Sequence, residues 1–378
     1  MKELIKEFID VAANPYKSVA ELKEKKKQKV LGCFPMDIPE ELISAAGIMP
    51  VILWESNELI TIGHSRIMPL NCGLTRSVVD DAMKGKLDFL DGMLFCDTCL
   101  QARNLPFIIE RNSKQRYLEY FYLPPILRSP AARDYLLNNL RKLKMSLEEF
   151  GGQRITDDLL NESIEKSNRN RFLLRRLYEL RQSKPGILKA AEVKAIVQAG
   201  LLMAKEDHNA LLEKLIAKLE AAPAPKSSKI RVILAGYLCF APRTDMLNLI
   251  EDCGTDIVDD YIFVGSRYFT NDIEANGNPL AAMAKRFLSP VPPCPTKVDW
   301  ESDWIDYIIE VYRRSKAQGV VTLVAKFCPP LINYYSEIRR KLASAGIPEV
   351  LLEIEHEIVS LEQAKTRVKA FVETIGGV

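Results

Sequence analysis

Short apolar runs alternate with amphipathic helical stretches in this chain, twice over, and one long helical interval separates the two blocks. KVLGCFP reads as a buried strand stopped by Pro35. The helix IPEELISAAG follows, ending at Gly47, and Pro50–Trp54 forms a second strand. A helix over 73–85, a strand over 89–95 and a strand over 116–122 complete the first block. From 129 to 220 the periodicity is helical, with Thr156 as N-cap of ITDDLLNESIEKSNRNRFLLRRLYELRQ. AAPAPKSS at 221–228 reads as a linker, after which KIRVILAG starts the alternation again. Such alternation predicts an α/β chain of parallel sheets with helices on both faces. The expected division is an N-terminal α/β domain over 1–155, a helical connection and linker over 156–228, and a C-terminal α/β domain over 229–378.

The blocks also resemble each other. KLASAGIPEVLLEI repeats the helix–glycine–proline–strand device of SAAGIMPVIL, and LDGMLFC has a counterpart in GVVTLVAKFC. Two related doubly wound, Rossmann-like domains facing each other are therefore expected.

A chain of 378 residues exceeds what one core usually serves, in keeping with two domains. Its formal charge of +2 provides no general attraction to nucleic acid or membrane. No apolar run approaches the roughly 18 residues of a membrane span, and MKELIKEFIDVAANP lacks a signal-peptide core. A cytoplasmic address is expected. There, eight cysteines suit metal ligation or core packing better than disulfides.

In open α/β sheets ligands bind beyond the carboxyl ends of the strands. Cys33, Cys96, Cys239 and Cys328 each fall at or just after a predicted strand end, and Cys72 at a predicted helix start, where the dipole favours a thiolate. Cys253 and Cys294 read as structural. The pair Cys96 and Cys99 is one C-x-x-C, whereas a structural zinc site usually has two such pairs. A thioredoxin-like dithiol has no other support in the chain. Thiolates on separated loops suit an iron–sulfur cluster. Of the three histidines, His64 is the one expected to face the cleft and His208 is expected on the surface. Lys25–Lys27 and the arginines at 169, 171, 175, 176 and 181 read as solvated helix surface.

GCFPMDIPEELISAAGIMPV, Cys72, LDFLDGMLFCDTCLQARNL, AKFCPP and the terminal EIEHEIVSLEQAKTRVKAF together resemble the 2-hydroxyacyl-CoA dehydratase and benzoyl-CoA reductase family, collinearly over nearly the whole chain. The resemblance is best to the smaller, gamma-type subunit of ATP-dependent benzoyl-CoA reductase. It implies a [4Fe-4S] cluster in the interdomain cleft, held by Cys72, Cys96 and Cys328, with Cys33 and Cys99 as neighbouring thiols. It also implies a homologous sister subunit, an ATP-hydrolysing activator, a donor such as ferredoxin, and an acyl-CoA substrate. No G-x-x-x-x-G-K-[ST] loop occurs, so no nucleotide site is expected in this chain.

Dehydratases of the family often carry an acid after the last ligand cysteine; here Pro329 takes that place. This favours the reductase branch, in which a low-potential electron enters an aromatic ring to give a cyclic dienoyl-CoA. Pro330, Leu331, Ile332, Tyr334 and Tyr335 are expected to shape a ring pocket. His64, Glu55 and Glu355 are the candidate proton donors. The alternatives are a dehydratase subunit acting through a ketyl radical, an electron relay whose sister chain alone binds substrate, and a zinc-bearing binding protein.

Overall fold

The computed structural model describes all residues except 57, 116, 237–238, 275–276, 301–302, 358–359 and 377–378. Helices α1 (Lys2–Ala13) and α2 (Pro15–Lys26) precede the first sheet. Its strands are β1 (Val30–Phe34), β2 (Met49–Ile52), β3 (Gly92–Cys96) and β4 (Tyr117–Phe121), all parallel in the order β2-β1-β3-β4. Helices α3 (Glu40–Ala45), α4 (Gly73–Met83) and α5 (Leu100–Asn112) connect them. Four helices follow: α6 (Ala132–Gly151), α7 (Asp157–Ser183), α8 (Ala190–Ala199) and α9 (Lys205–Ala221).

The second sheet repeats the first. Strands β5 (Ile230–Gly236), β6 (Thr255–Tyr261), β7 (Gly319–Ala325) and β8 (Glu349–Ile354) run parallel in the order β6-β5-β7-β8. Around them lie α10 (Thr244–Asp252), α11 (Pro279–Leu288), α12 (Trp304–Arg314), α13 (Pro329–Ser344) and α14 (Glu362–Gly376). Strands buried on both faces read as continuous apolar runs, and β1, β3 and β7 are buried at every position. No helix among the described residues is long and apolar enough to cross a membrane.

Helix α7 binds the two halves together. Thr156 caps it, accepting from Leu159 N at 3.2 Å. The expectation of a solvated arginine face fails at two positions. Arg171 is buried and ion-paired with buried Glu41 in α3, while Arg181 donates to Ile257 O in β6 at 2.7 Å. A helix sandwiched between two domains must bury part of its polar face, and each guanidinium is kept by a partner on one side. His208 is likewise buried, not exposed: Asn170 Nδ2 donates to its Nδ1 at 2.7 Å, and its Nε2 donates to Ile196 O at 2.9 Å. Burial drives its pKa down to about 3 and keeps the ring neutral. Lys26 pairs with Asp207 on α9, at an exposed helix end.

Candidate functional site

Three cysteines occupy the same structural position, the residue capping the amino end of a helix. Cys72 caps α4, Cys99 caps α5 and Cys328 caps α13. Cys99 and Cys328 are equivalent in the repeat: each stands three residues beyond its strand, after β3 and β7 respectively. A non-glycine residue with positive φ, Phe327 at 61°, makes the turn that presents Cys328. Each cap lies where the helix dipole is positive, which favours an anionic sulfur.

One side chain ties these loops together. Gln101 accepts from Cys72 N at 2.9 Å and donates to Phe327 O at 2.9 Å and to Leu70 O at 3.3 Å. It therefore fixes the loop before Cys72 and the loop before Cys328 to the first turn of α5, across the two halves. The Cys72 thiol contacts Thr75 Oγ1 at 3.1 Å, and the Cys99 thiol accepts from Ala102 N at 3.5 Å. The thiols of Cys99 and Cys328 lie near enough to Cys72 to raise its pKa, and both act on Cys239 as a fourth neighbour. Burial pushes the Cys72 thiol up to about 12 and the Cys328 thiol to about 11, and raises Cys99.

Cys96 lies at the strand end just before Cys99, and Asp97 and Lys297 act on both thiols. It is the last residue of β3, fully buried, and its thiol donates to Asp37 O at 3.6 Å. Its charge environment is set by burial, Asp37 and Lys297, and its thiol neighbour is Cys33 in the adjacent strand β1. The structure thus brings Cys72, Cys99 and Cys328 near one another, with Cys96 beside Cys99 and in reach of Cys33. The C-x-x-C spacing carries no signal for which cysteine faces the cleft. Cys253 lies beyond α10, 4.0 Å from Lys365 O, and Cys294 beside Thr296 and Arg267.

The remaining candidates flank this cluster unevenly. Glu55, after β2, accepts from His356 Nδ1 at 2.7 Å, and His356 Nε2 donates to Glu58 O at 2.8 Å. The pair packs on Gly73, directly after Cys72, where an added Cβ would collide with the Glu55 carboxylate and the His356 side chain. The sequence does not single out His356, because nothing local to residue 356 points to Glu55. Glu355 pairs with Lys326 at 2.8 Å, and half-exposed His64 lies 3.8 Å from Glu357. Glu55, Glu355 and His356 share the wall of a cavity of about 750 Å³ between the sheets; His64 is not on it. The residues expected to shape a ring pocket beyond Pro329 differ in their surroundings. Leu331 is core, Ile332 and Tyr334 are exposed, and Tyr335 donates to Glu349 at 3.3 Å.

Among the described residues, no three His, Cys, Asp or Glu side chains are grouped to hold a single metal ion. A cubane spreads its thiolates over separate irons and needs them wider apart than one ion does. The donors present fit such a group: three cysteines at dipole-positive caps, on loops held by a shared amide.

The chain matches the family model described as 2-hydroxyglutaryl-CoA dehydratase, D-component, over residues 35–375. It is 30% identical to the (R)-phenyllactyl-CoA dehydratase beta subunit of Clostridium sporogenes, covering 98% of each chain. It is 28% identical to a benzoyl-CoA reductase subunit of Thauera aromatica, over 92% of this chain and 91% of that one. Against the lactoyl-CoA dehydratase subunit beta of Anaerotignum propionicum the identity is 27%, over 99% of each chain. With a match spanning seven of the eight strands and every cysteine discussed except Cys33, this chain belongs to the 2-hydroxyglutaryl-CoA dehydratase D-component family.

Proposed function

We propose that this chain is the iron–sulfur subunit of an ATP-dependent benzoyl-CoA reductase, passing low-potential electrons to an aromatic acyl-CoA. The observation that carries the cluster is the triad of helix-capping cysteines, Cys72, Cys99 and Cys328, gathered around Gln101. The resemblance implies Cys96 as the third ligand; Cys99, three residues on at the helix cap, is the thiol this reading prefers. A [4Fe-4S] cluster held there would supply one-electron chemistry near the low end of the roughly −700 to +450 mV range. The protein's own part is to hold three thiolates at helix amino ends, to exclude water by burial, and to keep their loops still through Gln101.

Pro329 in the first turn of α13 presents no charge or donor beyond Cys328, which favours ring reduction over assisted loss of hydroxide. A second reading, dehydration of a 2-hydroxyacyl-CoA through a ketyl radical, is favoured by the dehydratase relatives. In either branch the chain works with a homologous sister subunit, an ATP-hydrolysing activator and a ferredoxin-like donor. The test is an anaerobic assay of the assembled system with benzoyl-CoA and with phenyllactyl-CoA. Formation of a cyclic diene supports the reductase; rapid dehydration without ring reduction decides for the second reading. ATP-dependent turnover by this chain alone would refute both.

A further inference from the structure

Each sheet has two inner strands, β1 and β3 in the first and β5 and β7 in the second. Three residues beyond their ends stand Asp37, Cys99, Cys239 and Cys328 respectively. In parallel sheets of this order the chain leaves the two inner strands toward opposite faces, which opens a crevice at the carboxyl edge. Cys239 and Cys328 therefore share the crevice of the second sheet, as Asp37 and Cys99 share that of the first. Gly236 draws β5 close to β7 at this edge: its φ is +91°, and a Cβ there would strike the Leu323 carbonyl. Gln101 ties the Cys328 loop in turn to the first turn of α5, beside Cys99.

The protein spends its structural thiols on its own oxygens. Those of Cys33, Cys96 and Cys253 donate to backbone carbonyls, and that of Cys294 bonds to Thr296. Among the described residues the Cys239 thiol makes no hydrogen bond. Burial raises its pKa, the charges of Cys99 and Cys328 raise it further, and the Arg267 guanidinium opposes them. A metal deprotonates a coordinating thiol outright, and Arg267, which also donates to Cys294 at 3.5 Å, offsets the added negative charge. We propose that Cys239 is a fourth iron ligand, closing the cluster that Cys72, Cys99 and Cys328 hold. This rests on the cluster reading above and deepens it. With every iron bound to protein sulfur, none is open to water or substrate, so the subunit relays electrons without taking the acyl-CoA onto iron.

Mössbauer spectra of the full-length, anaerobically purified chain test this. In wild type all iron should show sulfur-only ligation, and cyanide should leave the electron paramagnetic resonance spectrum of the reduced cluster unchanged. Cys239→Ala should keep its circular dichroism and most of its iron, because three ligands remain. About a quarter of its iron signal, one iron of four, should move to a site lacking a fourth sulfur, and cyanide should now shift the resonance. Cys239→Ser, which keeps a weaker oxygen ligand, should fall between. A wild type with a quarter of its iron already at such a site, or a Cys239→Ala spectrum equal to wild type, overturns the proposal and leaves the cluster reading standing. A wild type without any iron–sulfur signal overturns both.

Discussion

The side-chain amide of Gln101 donates to the carbonyl of Phe327 at 2.9 Å, joining α5 of the first half to the loop before Cys328 in the second. The same side chain accepts from Cys72 N. Replacing it with leucine removes these bonds and leaves the Cys72 amide and the Phe327 carbonyl without that partner. Gln101→Leu should cost roughly 1–3 kcal/mol in urea unfolding. The cluster's electron paramagnetic resonance lines should broaden while most iron is retained, and Gln101→Glu, which keeps the acceptor alone, should lie between. A variant with wild-type stability and wild-type line shape would remove Gln101 from this role.

Serine at Cys72, Cys99 or Cys328 should strip most iron from anaerobically purified protein while leaving its circular dichroism intact, since each stands at a helix end rather than within a strand. Cys96→Ser, Cys253→Ser and Cys294→Ser should keep it. Loss of iron from Cys96→Ser with retention in Cys99→Ser would reverse the assignment.

His356 reaches from the end of β8 to Glu55, and this bond latches the halves beside Cys72. Burial opposes protonation of the imidazole, but the Glu55 carboxylate outweighs it and holds the pKa above the ordinary value. With the folded pKa raised, the contribution is complete below about pH 6.5 and fades as pH rises through the folded value. His356→Ala should therefore destabilise by on the order of 1 kcal/mol at pH 6, and by less at pH 9, in paired denaturation curves. An equal cost at both values would show the latch to be uncharged.

His208 has the opposite sign. Its folded pKa of about 3 lies below the unfolded value, so its contribution is present above about pH 6.5 and is lost as pH falls toward 3. Wild type should lose about 1.4 kcal/mol per pH unit through this residue below pH 6. His208→Gln should show a shallower acid dependence, read from urea midpoints between pH 7 and pH 4.5. Parallel curves would mean that the ring is not held neutral.

Local rules carried far in this chain. Period and punctuation determined two strand–helix blocks, and the strands Val30–Phe34, Gly92–Cys96 and Tyr117–Phe121 fall where apolar runs end in turn residues. The cap at Thr156 and the positive φ of Gly47 follow from side-chain chemistry within a few residues. The collinear motifs likewise sufficed for the family.

Tertiary structure decided the rest. Whether Cys96 or Cys99 faces the cleft depends on where β3 ends. The last strand residue sets its thiol on Asp37 O, and the chain three residues later has turned into a helix cap. The burial of Arg171, Arg181 and His208 needs α7 to lie between two halves, which no periodicity within α7 encodes. The bonds from Glu55 to His356 and from Gln101 to Phe327 span 301 and 226 residues. Both form because the two parallel sheets present their carboxyl edges to each other, bringing into contact side chains that share no local pattern.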